Sequence, residues 1–389
     1  MTRTPPPASP DTAELPPLPL PEGVRSRFVD GVNGLRMHVL EAGFETPQRP
    51  CVLLLHGFPE LAFSWRRVMP ALAQAGWRVL APDLRGYGRT TGWDRRYDGD
   101  LPAFRFLNLL RDVMALLEAL GVARTVVVGH DFGSPLAAWC ALVRPDVFRA
   151  VVLMSAPFGG PPALTPRGGA PSAAALDEAL AALKPARKHY QWYYSGRRAD
   201  SDMRRAPQGI HAFLRAYYHH KSADWEGNQP FELASWDATE LAKMPTYYIM
   251  PREADMPAAV APHMPSPRTV AACAWLPEDD LHVYSSEYAR TGFQGGLQWY
   301  RCGTTGIQLA EQQTFAGRTI DVPAMFIAGT ADWGIHQKPG ELRRMAERAC
   351  TRFEGVHLVP GAGHWVQQEQ PAAVNARLLD FLARHRDAV

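Results

Sequence analysis

Two periodicities divide this chain. Short apolar runs without alternation occur at residues 51–55 (CVLLL), 78–81 (RVLA), 125–128 (TVVV), 150–154 (AVVLM), 322–329 (VPAMFIAG) and 356–359 (VHLV). Runs of that kind mark strands covered on both faces. Between them the spacing turns helical. Leu109, Leu110, Val113, Met114, Leu116, Leu117 and Leu120 form one stripe that stops at Gly121, a glycine placed as a helix C′ residue. Val374, Leu378, Phe381 and Leu382 form another, with Pro371 in its first turn. Residues 65–75 and 135–143 read as further helices, and residues 25–30 and 35–41 as two early strands joined by the turn Gly31-Val32-Asn33-Gly34. Strands alternating with helices predict an α/β protein with a mostly parallel sheet flanked by helices.

The alternation stops near Phe158. Glycine and proline crowd residues 159–172 (GGPPALTPRGGAPS), and helical patterns rich in Tyr and Trp follow at 173–194, 209–220 and 281–300. A proline- and methionine-containing run, 245–267, fits neither period. The strand rhythm then resumes at Val322. The chain is therefore expected to hold a core in two parts, 23–158 and 316–389, interrupted by a mainly helical cap at 159–315. Residues 1–22 (MTRTPPPASPDTAELPPLPLPE) are too rich in proline and small polar residues to bury a core, which predicts a disordered tail. A total of 389 residues suits one large domain with a substantial insertion, or two domains.

Charge and cysteine content narrow the function classes. Lys+Arg number 41 against Asp+Glu 39, and the basic doublets Arg66-Arg67, Arg197-Arg198 and Arg343-Arg344 are scattered, so no nucleic-acid or acidic-membrane partner is expected. Cys51, Cys140, Cys273, Cys302 and Cys350 show no metal-ligand spacing and read as buried free thiols in a reducing compartment. With no apolar run of membrane-spanning length and no signal pattern, a cytoplasmic protein is expected. There is no phosphate loop, dinucleotide fingerprint or His-Glu-x-x-His, so neither a cofactor nor a metal is expected. Nothing in the sequence sets the oligomeric state.

The candidate chemistry lies at the strand ends. Residues 125–128 run into Gly129-His130-Asp131-Phe132-Gly133 and then a helix, the strand–turn–helix layout of a nucleophile elbow with aspartate at its apex. A carboxylate there can attack carbon and form an alkyl ester. Asp332 follows the strand at 322–329, and His364, in Gly363-His364-Trp365, follows the strand at 356–359. Side chains just past the carboxyl ends of parallel strands converge on one crevice. The order nucleophile, acid, histidine is that of the α/β-hydrolase triad. His56-Gly57-Phe58-Pro59 follows another strand, which makes the N–H groups of Phe58 and Phe132 the natural oxyanion donors.

His56-Gly57-Phe58-Pro59-Glu60, Asp83-Leu84-Arg85-Gly86-Tyr87-Gly88, the elbow, Gly363-His364-Trp365 and Gly296-Leu297-Gln298-Trp299-Tyr300-Arg301 together resemble the α/β-hydrolase-fold epoxide hydrolases of the soluble type. The likeness runs from about Gly23 to Arg384 and leaves out the tail and 245–267. The first four motifs are shared with dehalogenases of the same superfamily, and the Trp-Tyr-Arg motif is more specific. The resemblance implies two cap tyrosines that donate hydrogen bonds to the epoxide oxygen. One matches Tyr300, and the other Tyr190 in His189-Tyr190-Gln191-Trp192, where Tyr193 and Tyr194 offer competing registers.

The expected reaction is hydrolysis of a small apolar epoxide to a vicinal diol through an ester on Asp131, cleaved by water that His364 activates and Asp332 orients. Ordinary acidities of about 3.9, 6.5 and 10 for Asp, His and Tyr place its activity near pH 7 to 9. The main alternative is a haloalkane or haloacid dehalogenase. Haloalkane enzymes tend to carry Trp after the nucleophile, and fluoroacetate-type enzymes carry arginines one and four positions past it. Here those positions are Phe132 and Pro135. A serine esterase is disfavoured because Ser134 lies off the apex, and a non-catalytic binding module because the triad is complete.

Overall fold

The computed structural model describes residues 15–46, 48–164 and 172–389. Ten strands are present among them: β1 (Val24–Val32), β2 (Leu35–Ala42), β3 (Cys51–Leu55), β4 (Arg78–Pro82), β5 (Thr125–His130), β6 (Phe148–Met154), β7 (Arg187–His189), β8 (Ile249–Pro251), β9 (Ala324–Gly329) and β10 (Phe353–Val359). Eight form one sheet in the order β1-β2-β4-β3-β5-β6-β9-β10. β2 pairs antiparallel with β1 and β4, and every pairing from β4 across to β10 is parallel.

Cover on both faces explains the unalternated apolar runs of β3, β4, β5, β6 and β9, whereas β10, at the sheet edge, alternates and leaves Val356 and Leu358 exposed. Along β5, Val127 belongs to the cluster that includes Leu109, Val113, Leu136 and Ala137, from the helices Phe106–Ala119 and Gly133–Val143. Val126 and Val128 join Leu72, Leu378 and Phe381 on the other side, from the helices Met69–Gln74 and Pro371–Arg384. Because side chains alternate across a strand, a strand buried on both faces needs an apolar residue at every position. After β3 the chain builds β4 on one side and later returns to place β5 on the other. The crevice past the carboxyl ends of β3 and β5 is thus a topological switch point, where α/β sheets gather their ligands.

The segment between β6 and β9 departs from the sequence pattern in three places. The helix expected over 173–194 is instead the helix Ala173–Ala181, strand β7 and the short helix Tyr190–Tyr194. Pro185 lies in the break, where a ring in place of an N–H interrupts the helical ladder. The unassigned run 245–267 supplies β8, which pairs antiparallel with β7, and the helix Met256–Val260. The pattern over 281–300 is two helices, Glu278–Thr291 and Gln294–Thr304, parted at Gly292, whose φ is +71°.

Two smaller differences concern the core. The helix read over 65–75 is a 3₁₀ turn, Ala62–Trp65, followed by the helix Met69–Gln74 with Pro70 in its first turn. The tail expected over 1–22 lies outside the described residues up to residue 14, as does part of the Gly/Pro stretch at 165–171. Residues 15–22 lie against the core: Leu18 and Leu20 pack on it, and the Pro16 carbonyl accepts Arg89 Nη2 at 2.8 Å.

Among the described residues the five cysteines are unpaired, and no helix is long and apolar enough to cross a membrane.

Candidate active site

Asp131 follows β5 with φ at +52°, the left-handed region that non-glycine residues seldom occupy. The elbow's tightness accounts for its neighbours. A Cβ on Gly129 would overlap the Gly133 carbonyl oxygen, a Cβ on Gly133 would overlap the carbonyl oxygen of Leu55, and one on Gly57 would overlap the Asp131 side chain. These three positions need hydrogen where other residues carry carbon, and the strain at Asp131 aims its carboxylate out of the turn.

Both carboxylate oxygens are engaged. Phe58 N–H donates to Asp131 Oδ1 at 2.9 Å, and His364 Nε2 lies 3.2 Å from Oδ2. On the far side of the ring, His364 Nδ1 is 3.0 Å from Asp332 Oδ1, which also accepts Gly334 N–H at 2.6 Å. The three side chains that the sequence pointed to at three separate strand ends meet in one line. The side chain of Asp131 is 16% exposed, whereas those of His364 and Asp332 are 2% and 1% exposed, so only the first is open to a ligand.

The electrostatics follow from this contact. Burial alone would raise the Asp131 carboxyl, but the hydrogen bond and charge of His364, with help from Lys221 and His130, hold it below the usual carboxylate range. Asp332 is also held low, against burial, by His364. For His364, burial and Lys221 act downwards, yet Asp332 and Asp131 outweigh them and raise the imidazole above its ordinary value. Lys221 is itself a buried cation. Its Nζ lies 5.0 to 5.7 Å from the ring centroids of Tyr248, Trp365, Tyr217 and Tyr247, and burial lowers its pKa against the pull of Asp131, Asp332 and Glu60.

Above Asp131 lies a cavity of about 480 Å³. Phe132, Trp139, Phe158 and Trp299 give it apolar walls, while Gln191, Gln308 and Gln337 line it with amides. Tyr190 and Tyr300 line it together with Asp131, their ring centroids 5.8 Å apart. Burial is the first cause that raises both phenols, and Asp131 contributes to each, so both are protonated near neutral pH. The Tyr190 hydroxyl donates to Gln337 Oε1 at 2.9 Å and accepts Gln191 Nε2 at 3.2 Å. Of the competing registers, Tyr193 turns its hydroxyl to Asp202 at 3.3 Å, and Tyr194 is buried with its ring 5.3 Å from that of Phe58. Phe132, after the nucleophile, packs its ring 4.5 Å from that of Tyr300 and brings no side-chain N–H.

Tyr300 is placed by two glycines of its own helix, Gly295 and Gly296. They open the helix Gln294–Thr304. A Cβ on Gly295 would overlap the backbone of Gly86, and one on Gly296 would come within 2.6 Å of the Phe58 ring. The helix therefore meets the loop after β4 backbone to backbone, which explains the glycine in Arg85-Gly86-Tyr87.

A second set of residues went unread because its partners are far apart in sequence. Glu60, fully buried, accepts from Gly57 N–H (3.2 Å), Gln367 Nε2 (2.8 Å) and Gln368 Nε2 (3.1 Å), and lies 2.6 Å from His130 Nδ1. His130 Nε2 in turn lies 2.7 Å from the His364 carbonyl oxygen, which also accepts Ser155 Oγ at 3.2 Å. The loops carrying Phe58, Asp131 and His364 are thereby tied through one buried polar network. Glu60 and His130 sit inside motifs, at the end of His56-Gly57-Phe58-Pro59-Glu60 and as the unspecified residue of Gly-x-Asp-x-Gly, but neither motif shows that the two meet.

Sheet order, elbow and the convergence of Asp131, His364 and Asp332 define a class of protein that the family comparison names. Residues 50–371 match the family described as alpha/beta hydrolase fold. The chain belongs to that family. Its relatives include epoxide hydrolase A of Mycobacterium tuberculosis (strain ATCC 25618 / H37Rv), 34% identical over 92% of this chain and 96% of that protein. Another is an epoxide hydrolase of Caballeronia sordidicola, 32% identical over 92% of this chain and 93% of that protein. Among solved structures, an epoxide hydrolase from an endophytic Streptomyces superposes with a TM-score of 0.72 at 32% identity, covering 94% of this chain and 97% of that one. Potato (Solanum tuberosum) epoxide hydrolase I superposes with a TM-score of 0.70 at 30% identity, covering 93% and 99%. Within its family the protein stands with hydrolases that carry this name.

Proposed function

We propose that this protein is an epoxide hydrolase that converts a small apolar epoxide and water into a vicinal diol through an ester on Asp131. The observation that carries the reading is one cavity in which a carboxylate, fastened to a backbone N–H and a histidine, faces two protonated phenols. The names of the relatives support the same activity. The segment 159–315 acts in this reading as a cap that brings Tyr190 and Tyr300 over the nucleophile.

In the first step an oxygen of ionised Asp131 attacks a ring carbon, and the carbon–oxygen bond of the strained ring breaks. Tyr190 and Tyr300 hydrogen-bond to the ring oxygen as its charge grows, and one of them gives it a proton, so that a hydroxyalkyl ester and a phenolate result. Tyr190 exchanges Gln337 for the epoxide as its acceptor. In the second step His364 takes a proton from water, and the oxygen attacks the Asp131 carbonyl carbon. Charge then develops on the former carboxylate oxygen, against the N–H groups of Phe58 and Phe132. Collapse breaks the bond between the acyl carbon and the alkyl oxygen, the diol leaves with the proton that His364 held, and Asp131, now carrying one oxygen from water, returns to its carboxylate as water's second proton restores the phenol. Once Asp131 is an ester it no longer holds an anion against Nε2, so His364 is neutral and its Nε2 is free to accept a proton from water.

A panel of epoxides, assayed for diol with wild type and with Tyr300→Phe, tests the reading. Diol from wild type with a loss of at least about 10-fold in the variant is the expected outcome, matching one missing acid of a pair. Full activity in the variant would remove Tyr300 from the reaction, and halide release from chloroalkanes without diol from any epoxide would point to dehalogenation instead.

A further inference from the structure

The helical turn Val366–Glu369 starts two residues after His364 and ends at a carboxyl group with three backbone partners. Glu369 Oε2 accepts Gly363 N–H at 2.9 Å and Ala223 N–H at 2.8 Å, and Oε1 accepts Trp365 N–H at 2.9 Å. One side chain therefore holds the residue before His364 and the residue after it. It also reaches Ala223, just past the helix Ile210–Lys221 of the segment inserted between β6 and β9. The N–H of His364 donates to the carbonyl oxygen of Lys221 at 2.9 Å, in the same turn. A Cβ on Gly363 would lie 2.6 Å from Ala223 N and 2.7 Å from Lys221 O, so loop and turn touch through their backbones.

Glu369 neither lines the cavity nor bonds to Asp131 or to the His364 ring. It acts on the backbone that carries the ring. The place and direction of the His364 ring depend on the backbone on both sides of residue 364, which these hydrogen bonds hold. We propose that Glu369 is a positioning residue that couples docking of the Lys221–Ala223 turn to the orientation of His364 as the base for ester hydrolysis. The inference rests on the assignment of Asp131 and His364 made above, and it adds that the inserted segment takes part in the second step as well as shaping the pocket for the first.

Replacing Glu369 by glutamine sets an NH₂ group against backbone donors whichever way the amide turns, towards Trp365 or towards Gly363 and Ala223. The full-length protein, as wild type, Glu369→Gln and Glu369→Asp, is mixed rapidly with styrene oxide in excess enzyme, and the formation and decay of the covalent ester are followed separately. Because misplacing a catalytic group by about 1 Å slows its step about 100-fold, ester decay in Glu369→Gln is expected to fall about 10- to 100-fold while ester formation stays within about 3-fold of wild type. Glu369→Asp, which keeps the carboxylate, recovers part of the loss and carries the same comparison if the glutamine variant does not fold.

A role in folding alone would lower the amplitude of ester formed and leave its decay constant untouched, and that result would overturn the proposal. So would an equal slowing of both steps. A wild-type enzyme that builds no ester from any epoxide refutes the mechanism above and this inference with it, a failure visible before any variant is made.

Discussion

Asp332→Asn isolates the contribution of one buried charge. The variant keeps shape and volume but removes the anion 3.0 Å from His364 Nδ1. At the transition state of ester hydrolysis His364 is becoming an imidazolium, with its charge spread over the ring at about 4 Å from the carboxylate, where the attraction is worth about 4 kcal/mol at an effective dielectric of about 20. Loss of that amount slows the step by about 10³-fold. The amide adds a second fault, since its NH₂ can donate to Nδ1 and drive the proton to Nε2, the nitrogen that has to accept one from water. Alkylation uses Asp131 directly and the imidazole only as a neighbour, so it is expected to change by less than about 10-fold. Stopped-flow or quenched single turnovers, which separate ester formation from ester decay, read both numbers. Ester decay slowed by less than about 10-fold, against the large electrostatic effect expected, would refute the view that Asp332 works through His364.

The remaining predictions use other parts of the site. His364 is raised in the resting enzyme by two carboxylates, and esterification of Asp131 removes one of them. A group whose pKa is raised keeps its proton to higher pH, so loss of one partner moves its titration down. The acid limb of single-turnover ester hydrolysis is therefore expected at lower pH than the titration of His364 in the free enzyme followed by NMR, and a limb at equal or higher pH would contradict this. Gly295→Ala forces a methyl group into the backbone of Gly86, which cannot swing aside as a side chain would. Denaturant unfolding should show a loss of about 1–3 kcal/mol, together with slower ester formation as Tyr300 is displaced, and an unchanged stability would show that the two loops part freely.

What the sequence conveyed about this site depended on whether a feature was local. Asp131, Asp332 and His364 each come soon after a strand of the parallel sheet, so an apolar run followed by a turn is enough to put each at the same end of the sheet. Gly129 and Gly133 are likewise legible because strand, turn and helix are contiguous. The pair β7 and β8 was not, since each has three residues, too few for a period, and about 60 positions separate them. Pro185 and Gly292 divide helical patterns that propensity alone runs together. Glu60 and Glu369 gave no signal as buried anchors, because their donors come from residues 57, 130, 223 and 363–368 and meet only in the fold. Tyr190 could be separated from Tyr193 and Tyr194 only by where each hydroxyl points, which depends on the short helix Tyr190–Tyr194 and its neighbours.

The covalent ester on Asp131 is the step from which the roles of His364, Asp332 and Glu369 all follow. Incubation of excess enzyme with a turned-over epoxide in ¹⁸O-water for a single turnover, followed by mass analysis of the peptide that contains Asp131 and of the diol, measures it directly. Water that attacks the acyl carbon leaves its oxygen in the Asp131 carboxylate and none in the first diol released. Label found only in the diol would mean that water attacks the epoxide itself and that Asp131 is not the nucleophile.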